Sequence, residues 1–135
     1  MAAKAVTTVT TAAALHSLPS GAGRYVCIWA TADWCVPCKR LQPGWDSIAN
    51  AEDSQFTDVT FLVADLTHEA DEDVGHGSSL SEVLQITTLP TFILRDRHSN
   101  CEVSRVEGAA HKRPARRLYQ MLKEHASGVA GELRG

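Results

Sequence analysis

Hydrophobic positions fall in short runs separated by polar or glycine-rich breaks, and two of the runs are nearly continuous. Residues 25–31 carry Val26, Cys27, Ile28, Trp29 and Ala30 without a charge, and residues 59–66 read the same way apart from Thr60 and Asp65. Such runs suit strands covered on both faces, as in the middle of a parallel sheet. Residues 6–11 are β-branched and suit a shorter strand. Residues 91–94 and 102–106 flank the polar turn Arg97-His98-Ser99-Asn100, which predicts an antiparallel hairpin ending at Gly108.

Between these runs the spacing changes to that of helices. Residues 11–18 are rich in Ala and Leu and are broken by Pro19-Ser20-Gly21-Ala22-Gly23, which predicts a short helix and a loop. From residue 38 to 51, Leu41, Trp45, Ile48 and Ala49 recur at helical spacing. Residues 80–84 make a short helix, and residues 113–125 a longer one with Leu118, Tyr119, Met121 and Leu122 on its apolar side. Residues 67–79 are acidic, with His68, His76 and two glycines, and read as an exposed loop or insertion. The chain after about residue 127, with Gly128, Gly131 and Gly135, reads as a flexible tail. The order β-α-β-α-β-α-β-β-α predicts an α/β fold. It has a mostly parallel sheet, helices on both faces and an antiparallel hairpin at one side.

Composition adds bounds to this picture. A chain of 135 residues predicts one domain over 1–135, burying roughly two-thirds of its unfolded surface. Apolar residues make up 44% and charged residues 21%, which is ordinary for a globular protein. The net charge of −3 gives no general argument for nucleic acid or an anionic membrane as partner. Lys112, Arg113, Arg116 and Arg117 read as the solvated face of the last helix, with a local basic patch as the alternative. No apolar run approaches the ~18 residues of a membrane-spanning helix. Residues 1–15 lack the charged start and continuous apolar stretch of a secretory signal, so the cytoplasm is the expected compartment. Their Thr- and Ala-rich, acid-free composition leaves a mitochondrion or other organelle as the alternative.

The candidate chemistry lies in Trp34-Cys35-Val36-Pro37-Cys38-Lys39, at a strand-to-helix junction. A thiolate there gains from unpaired backbone N–H groups and the positive end of the helix dipole. Cys35 is expected to be the more exposed and more acidic thiol, and Cys38, one turn further on, to close a small disulfide with it. Pro37 is tolerated in a first turn, where its missing N–H would have no partner. A Cys-x-x-Cys pair also permits a structural zinc site, which needs a second close pair of ligands, and His68 and His76 make a poor one. Cys27 is expected to be a core residue, and Cys101 an exposed thiol open to oxidation or dimer formation.

At these residues the chain resembles the thioredoxin family. The cysteine segment matches the family's active-site string, with Val36 where many members have Gly. Pro43 matches the proline of the helix that follows, Leu89-Pro90-Thr91 the tripeptide with a cis proline, and Gly108 the glycine of the substrate groove. The resemblance implies the thioredoxin fold, a mixed sheet of about five strands flanked by about four helices. It implies catalysis by Cys35 and Cys38 and a substrate-binding surface from Trp34, Val36, Pro37, Leu89, Pro90 and Gly108, with Ala109 extending an apolar patch. It implies no metal and no cofactor beyond the redox-active disulfide.

The chain also departs from the family pattern. The strand before the motif has no carboxylate: counting back from Cys35 gives Trp29, or Cys27 if extra residues precede Trp34, where members carry a buried acid. The lysine that faces that acid is missing from residues 61–66 as well. Asp33, expected at the surface, and Asp65, expected to cap a turn, are the nearest acids. The leading expectation is a reductase of protein disulfides, with Cys35 as nucleophile and Cys38 resolving. Its expected partners are a thioredoxin-reductase-type enzyme or a low-molecular-weight thiol, with a monomer or a Cys101-linked dimer as assembly. The alternatives are a disulfide oxidant or isomerase, and a thioredoxin-like binding module with weak turnover.

Overall fold

The computed structural model describes residues 6–16, 23–49, 56, 58–68 and 79–126. Its elements follow the order β1 (Thr7–Val9), α1 (Ala12–His16), β2 (Tyr25–Thr31), α2 (Val36–Ala49), β3 (Val59–Asp65), α3 (Leu80–Leu84), β4 (Thr91–Asp96), β5 (Cys101–Glu107) and α4 (Pro114–Ala126). A single 3-10 turn, Gly108–Ala110, joins β5 to the segment leading into α4. The five strands form one sheet in the order β1-β3-β2-β4-β5. β1, β3 and β2 run parallel, while β4 is antiparallel to both β2 and β5. β2 is therefore central, and Cys27 to Ala30 are all buried, as an uninterrupted apolar run requires.

Alternation along the strands divides the core into two layers. Cys27 and Trp29 of β2 and Phe61 of β3 face the layer covered by Leu41, Trp45 and Ala49 of α2 and by Leu118, Met121 and Leu122 of α4. Ile28, Ala30, Leu62 and Ala64 face the opposite layer, with Leu15 of α1 and Leu80 and Leu84 of α3. The first layer is aromatic: Trp29 lies 5.1 Å from Trp45 and 6.2 Å from Phe92 between ring centroids, and Trp45 meets Phe61 edge-on at 5.6 Å. α2 and α4 cross so closely that a Cβ on Gly44 would come within 2.6 Å of the Ala115 Cβ, so only glycine fits there.

The elements expected from the sequence are present, with shifted ends. α2 begins at Val36, which puts Cys35 at the helix start and Pro37 in the first turn, as the cysteine segment predicts, although the apolar periodicity is visible only from residue 38 on. β1 spans three residues where six were expected, since Thr11 caps α1 by accepting the Ala14 amide at 3.0 Å. The hairpin strands are longer than expected. Asn100 takes a left-handed conformation, φ 58°, that closes the turn between them. α3 keeps its expected bounds and is started by a capping box between Ser79 and Glu82. The 67–79 stretch beyond His68, apart from Ser79, and the tail from residue 127 lie outside the described residues.

Candidate active site

The chain leaves β2 at Thr31 and enters α2 at Val36, and the intervening loop is tied to the end of β3. The parallel register sets Thr31 opposite Asp65, which places Thr67 beside that loop. The Thr67 hydroxyl accepts the Asp33 amide at 2.9 Å, and its carbonyl accepts the Trp34 indole N–H at 3.2 Å. The Asp65 carboxylate in turn accepts the Thr67 amide at 2.9 Å and also its hydroxyl, the turn-capping role expected of this acid. Trp34 is thereby held by its polar edge while its ring stays 62% exposed.

Cys35 immediately precedes α2, and its Sγ accepts a hydrogen bond from the Cys38 backbone N–H at 3.3 Å. The two cysteines form a disulfide with their Cα atoms 5.3 Å apart. Cys35 is the more accessible, but at 5% against 1% for Cys38 the difference is narrow. What distinguishes Cys35 is its position at the helix start, where unpaired amides and the helix dipole favour a thiolate. Cys27, eight residues earlier, is fully buried among apolar groups, and desolvation pushes its thiol well above the ordinary range. Cys101 is free and exposed at the start of β5.

The facing wall comes from the start of β4. The Leu89–Pro90 peptide is cis, as expected, and Pro90 is buried. The Gly108 amide donates to the Pro90 carbonyl at 2.8 Å, and a Cβ on Gly108 would come within 2.7 Å of Pro90 Cγ. Gly108 is thus the residue that lets the end of β5 close on Pro90.

Two concavities meet at Pro37. One, of about 740 Å³, is lined by Trp34, Cys35, Val36, Leu66, Ile86 and Leu89 and by hydroxyl side chains, with no ionisable side chain among the described residues besides the disulfide-bonded Cys35. The other, of about 500 Å³, has Pro90, Gly108 and Ala109 on one side and Arg40, Lys112, Arg113 and Arg116 on the other. Of the residues expected to shape an apolar patch, Val36 and Leu89 line the first concavity and Ala109 the second. Three of the four basic residues that offered a local patch as the alternative to a solvated face, Lys112, Arg113 and Arg116, do gather in this groove. Arg117 does stand apart, hydrogen-bonded to Gln120 at 2.7 Å, while Arg40 joins the other three from α2.

A third depression, of about 320 Å³, reaches Cys38 from the far side and is lined by Thr31, Asp33, Lys39 and Asp65 among others. β2 offers no carboxylate beneath the disulfide, since Cys27 and Trp29 fill both candidate positions on that face. Among the described residues there is no cluster of three or more His, Cys, Asp or Glu side chains able to hold a metal ion. Of the two histidines weighed as zinc ligands, His76 lies outside the described residues.

Comparison with known proteins agrees with this architecture. The thioredoxin family model matches residues 6–124. Thioredoxin H2-1 of Oryza sativa subsp. japonica is 29% identical over 107 residues, which is 79% of this chain and 67% of that protein. The Malassezia sympodialis thioredoxin structure superposes with a TM-score of 0.67 at 19% identity, covering 93% of this chain and 95% of that one. A thioredoxin f2, solved in complex with ferredoxin:thioredoxin reductase, gives 0.66 at 20% identity, covering 92% and 97%. With the fold, the cis proline and the closed Cys35–Cys38 disulfide in place, the chain belongs to the thioredoxin family of protein thiol–disulfide oxidoreductases.

Proposed function

We propose that this chain works in the reducing direction, transferring electrons from its dithiol to the disulfides of protein substrates. The observation that carries dithiol exchange is the Cys38 amide aimed at Cys35 Sγ at the start of α2, with Cys38 close enough to close the disulfide. The reducing direction is supported by the Val36-Pro37 pair between the cysteines, which resembles the reducing members of the family more than the His-containing oxidising ones. In the reduced protein the Cys35 thiolate attacks one sulfur of a substrate disulfide. A mixed disulfide forms and the other substrate sulfur leaves as a thiolate, which takes a proton from water. Cys38 then loses its proton, attacks Cys35 Sγ and releases the second substrate thiol. Two electrons have passed to the substrate, and the Cys35–Cys38 disulfide remains to be reduced.

Trp34, Val36, Pro37, Leu89, Pro90 and Gly108 supply the surface on which the substrate segment lies. The Pro90 carbonyl is engaged by Gly108, so this part of the wall is fixed before substrate arrives. With no carboxylate on β2, the Cys38 proton leaves to water, for which the depression lined by Thr31, Asp33 and Asp65 gives a path. The reductant that restores the dithiol is a thioredoxin-reductase-type enzyme or a low-molecular-weight thiol. The reductase complex of the similar thioredoxin f2 supports the first.

The test is reduction of insulin disulfides with dithiothreitol as electron source. Wild type accelerates the reaction, Cys35→Ser reduces it to background, and Cys38→Ser accumulates the mixed disulfide. A redox potential near the value of thioredoxins, about −270 mV, supports the reducing direction, whereas about −120 to −180 mV assigns the chain to oxidation or isomerisation. Tight substrate binding without acceleration would make it a binding module.

A further inference from the structure

We propose that the groove beside Pro90 selects acidic protein segments. On this view, preferred substrates carry Asp or Glu on one side of the reactive cysteine and an uncharged apolar residue on the other. The inference rests on the reductase reading and adds the substrate class.

The charge distribution carries it. Arg40, Lys112, Arg113 and Arg116 come from two separate stretches of chain and converge on one groove, which no acidic side chain among the described residues lines. All four are exposed. Among the described residues none is paired with a carboxylate, although the chain as a whole is acidic at −3. The opening turn of α4 holds no acid either, so the cations stand against a helix end that is itself positive. Like charges gathered this way repel one another in the free protein, and a partner's carboxylates relieve that repulsion.

The groove is also well placed to act on the chemistry. Pro37, which lies between the two cysteines in the chain, borders both it and the hollow that contains Cys35, and Pro90 and Gly108 line it as well. Gly44, Gly108 and Ala115 keep the lining low, so a substrate backbone can approach. On the other side of Pro37 the hollow holds Trp34 and Val36, 62% and 55% exposed, and Leu89. A segment crossing Pro37 therefore meets cations in one direction and an uncharged apolar surface in the other. An anionic nucleic acid would also meet the cations. It could also stack a base on Trp34, but it brings no disulfide to Cys35, so a protein segment is the occupant assigned.

The experiment compares peptides containing one disulfide and identical except for the two residues flanking it on one side, Asp-Glu in one and Lys-Lys in the other. An uncharged small disulfide serves as a third substrate. The expected result is a kcat/KM ratio for acidic over basic peptide of roughly tenfold or more at low ionic strength, falling as salt is raised. The Arg113→Glu, Arg116→Glu double variant should bring the ratio to one or below. Because the readout is a ratio, a change in the folded fraction does not move it. A ratio near one in the wild type, or one unchanged in the double variant, overturns the proposal. So does an RNA oligonucleotide that displaces the acidic peptide at lower concentration than a matched acidic peptide does. If the uncharged disulfide is not reduced either, the reductase reading fails, and binding of the two peptides in Cys-to-Ser form then decides the groove's preference separately.

Discussion

Cys27 and Cys35 stand eight residues apart on one continuous stretch of chain, yet the fold gives them opposite chemistry. Cys27 lies mid-strand in β2, fully buried among apolar side chains, where the charged thiolate is disfavoured. Cys35 lies just beyond the end of the same strand and is itself only 5% exposed. Accessibility alone therefore does not separate them, and Cys101 is exposed without any helix start beside it. What Cys35 has and the other two lack is a place at a helix start, with the Cys38 backbone N–H donated to its sulfur. Reactivity in this chain is a property of the strand-to-helix turn rather than of the thiol.

That contrast is open to direct attack. In the reduced protein, alkylation near pH 7.5 followed by mass spectrometry should modify Cys35 at least about a thousandfold faster than Cys27, which reacts only through unfolding. Comparable rates would show that β2 opens readily and that the two environments are not distinct. Next in size is Cys27→Ser, which buries a hydroxyl among apolar groups and should cost about 1–3 kcal/mol in chemical denaturation. The potential of the Cys35–Cys38 couple should stay put, and a shifted potential would mean that Cys27 communicates with the site.

The smallest effect belongs to the opposite end of β2. There Arg24 donates to Asp96 at 3.0 Å and the next residue, Tyr25, pairs with Asp96 in the sheet. The Arg24 guanidinium holds the Asp96 carboxyl below its ordinary value of 3.8. A carboxyl lowered on folding contributes stability above the unfolded-state value and loses it as pH falls through the folded one. Asp96→Asn should therefore lower Tm slightly at pH 7 and narrow the gap to wild type below pH 4, with insulin reduction unaffected.

Much of this was legible in the sequence. The nearly unbroken apolar runs gave away β2 and β3, because a strand covered on both faces tolerates no polar side. The cysteine pair and the Leu89-Pro90-Thr91 string were local, and their neighbourhood followed from resemblance to the family. The start of α2 was legible from the cysteine segment, which sets Cys35 at a helix start and Pro37 in its first turn, and not from apolar periodicity, which begins only at Leu41. The Thr67 anchor was not legible, since it depends on a parallel register between residues more than thirty apart. The place of Arg40 in the cationic groove was hidden for a related reason: Arg40 and Arg113 meet only after α2 and α4 have packed through Gly44 and Ala115. Charge patterns read along a helix do not reveal what another helix brings beside them.

The position of β2 in the sheet has one more consequence, for exchange of its amide protons with solvent. Every residue of β2 is registered against β3, and all but Thr31 also against β4, whereas β1 holds on by three residues at one edge. Local opening should begin at that edge and reach β2 last, with the exchange protection of the central strand approaching that of global unfolding. The disulfide hangs from the slowest-opening part of the molecule, so its repeated making and breaking takes place on a platform that does not have to breathe with it.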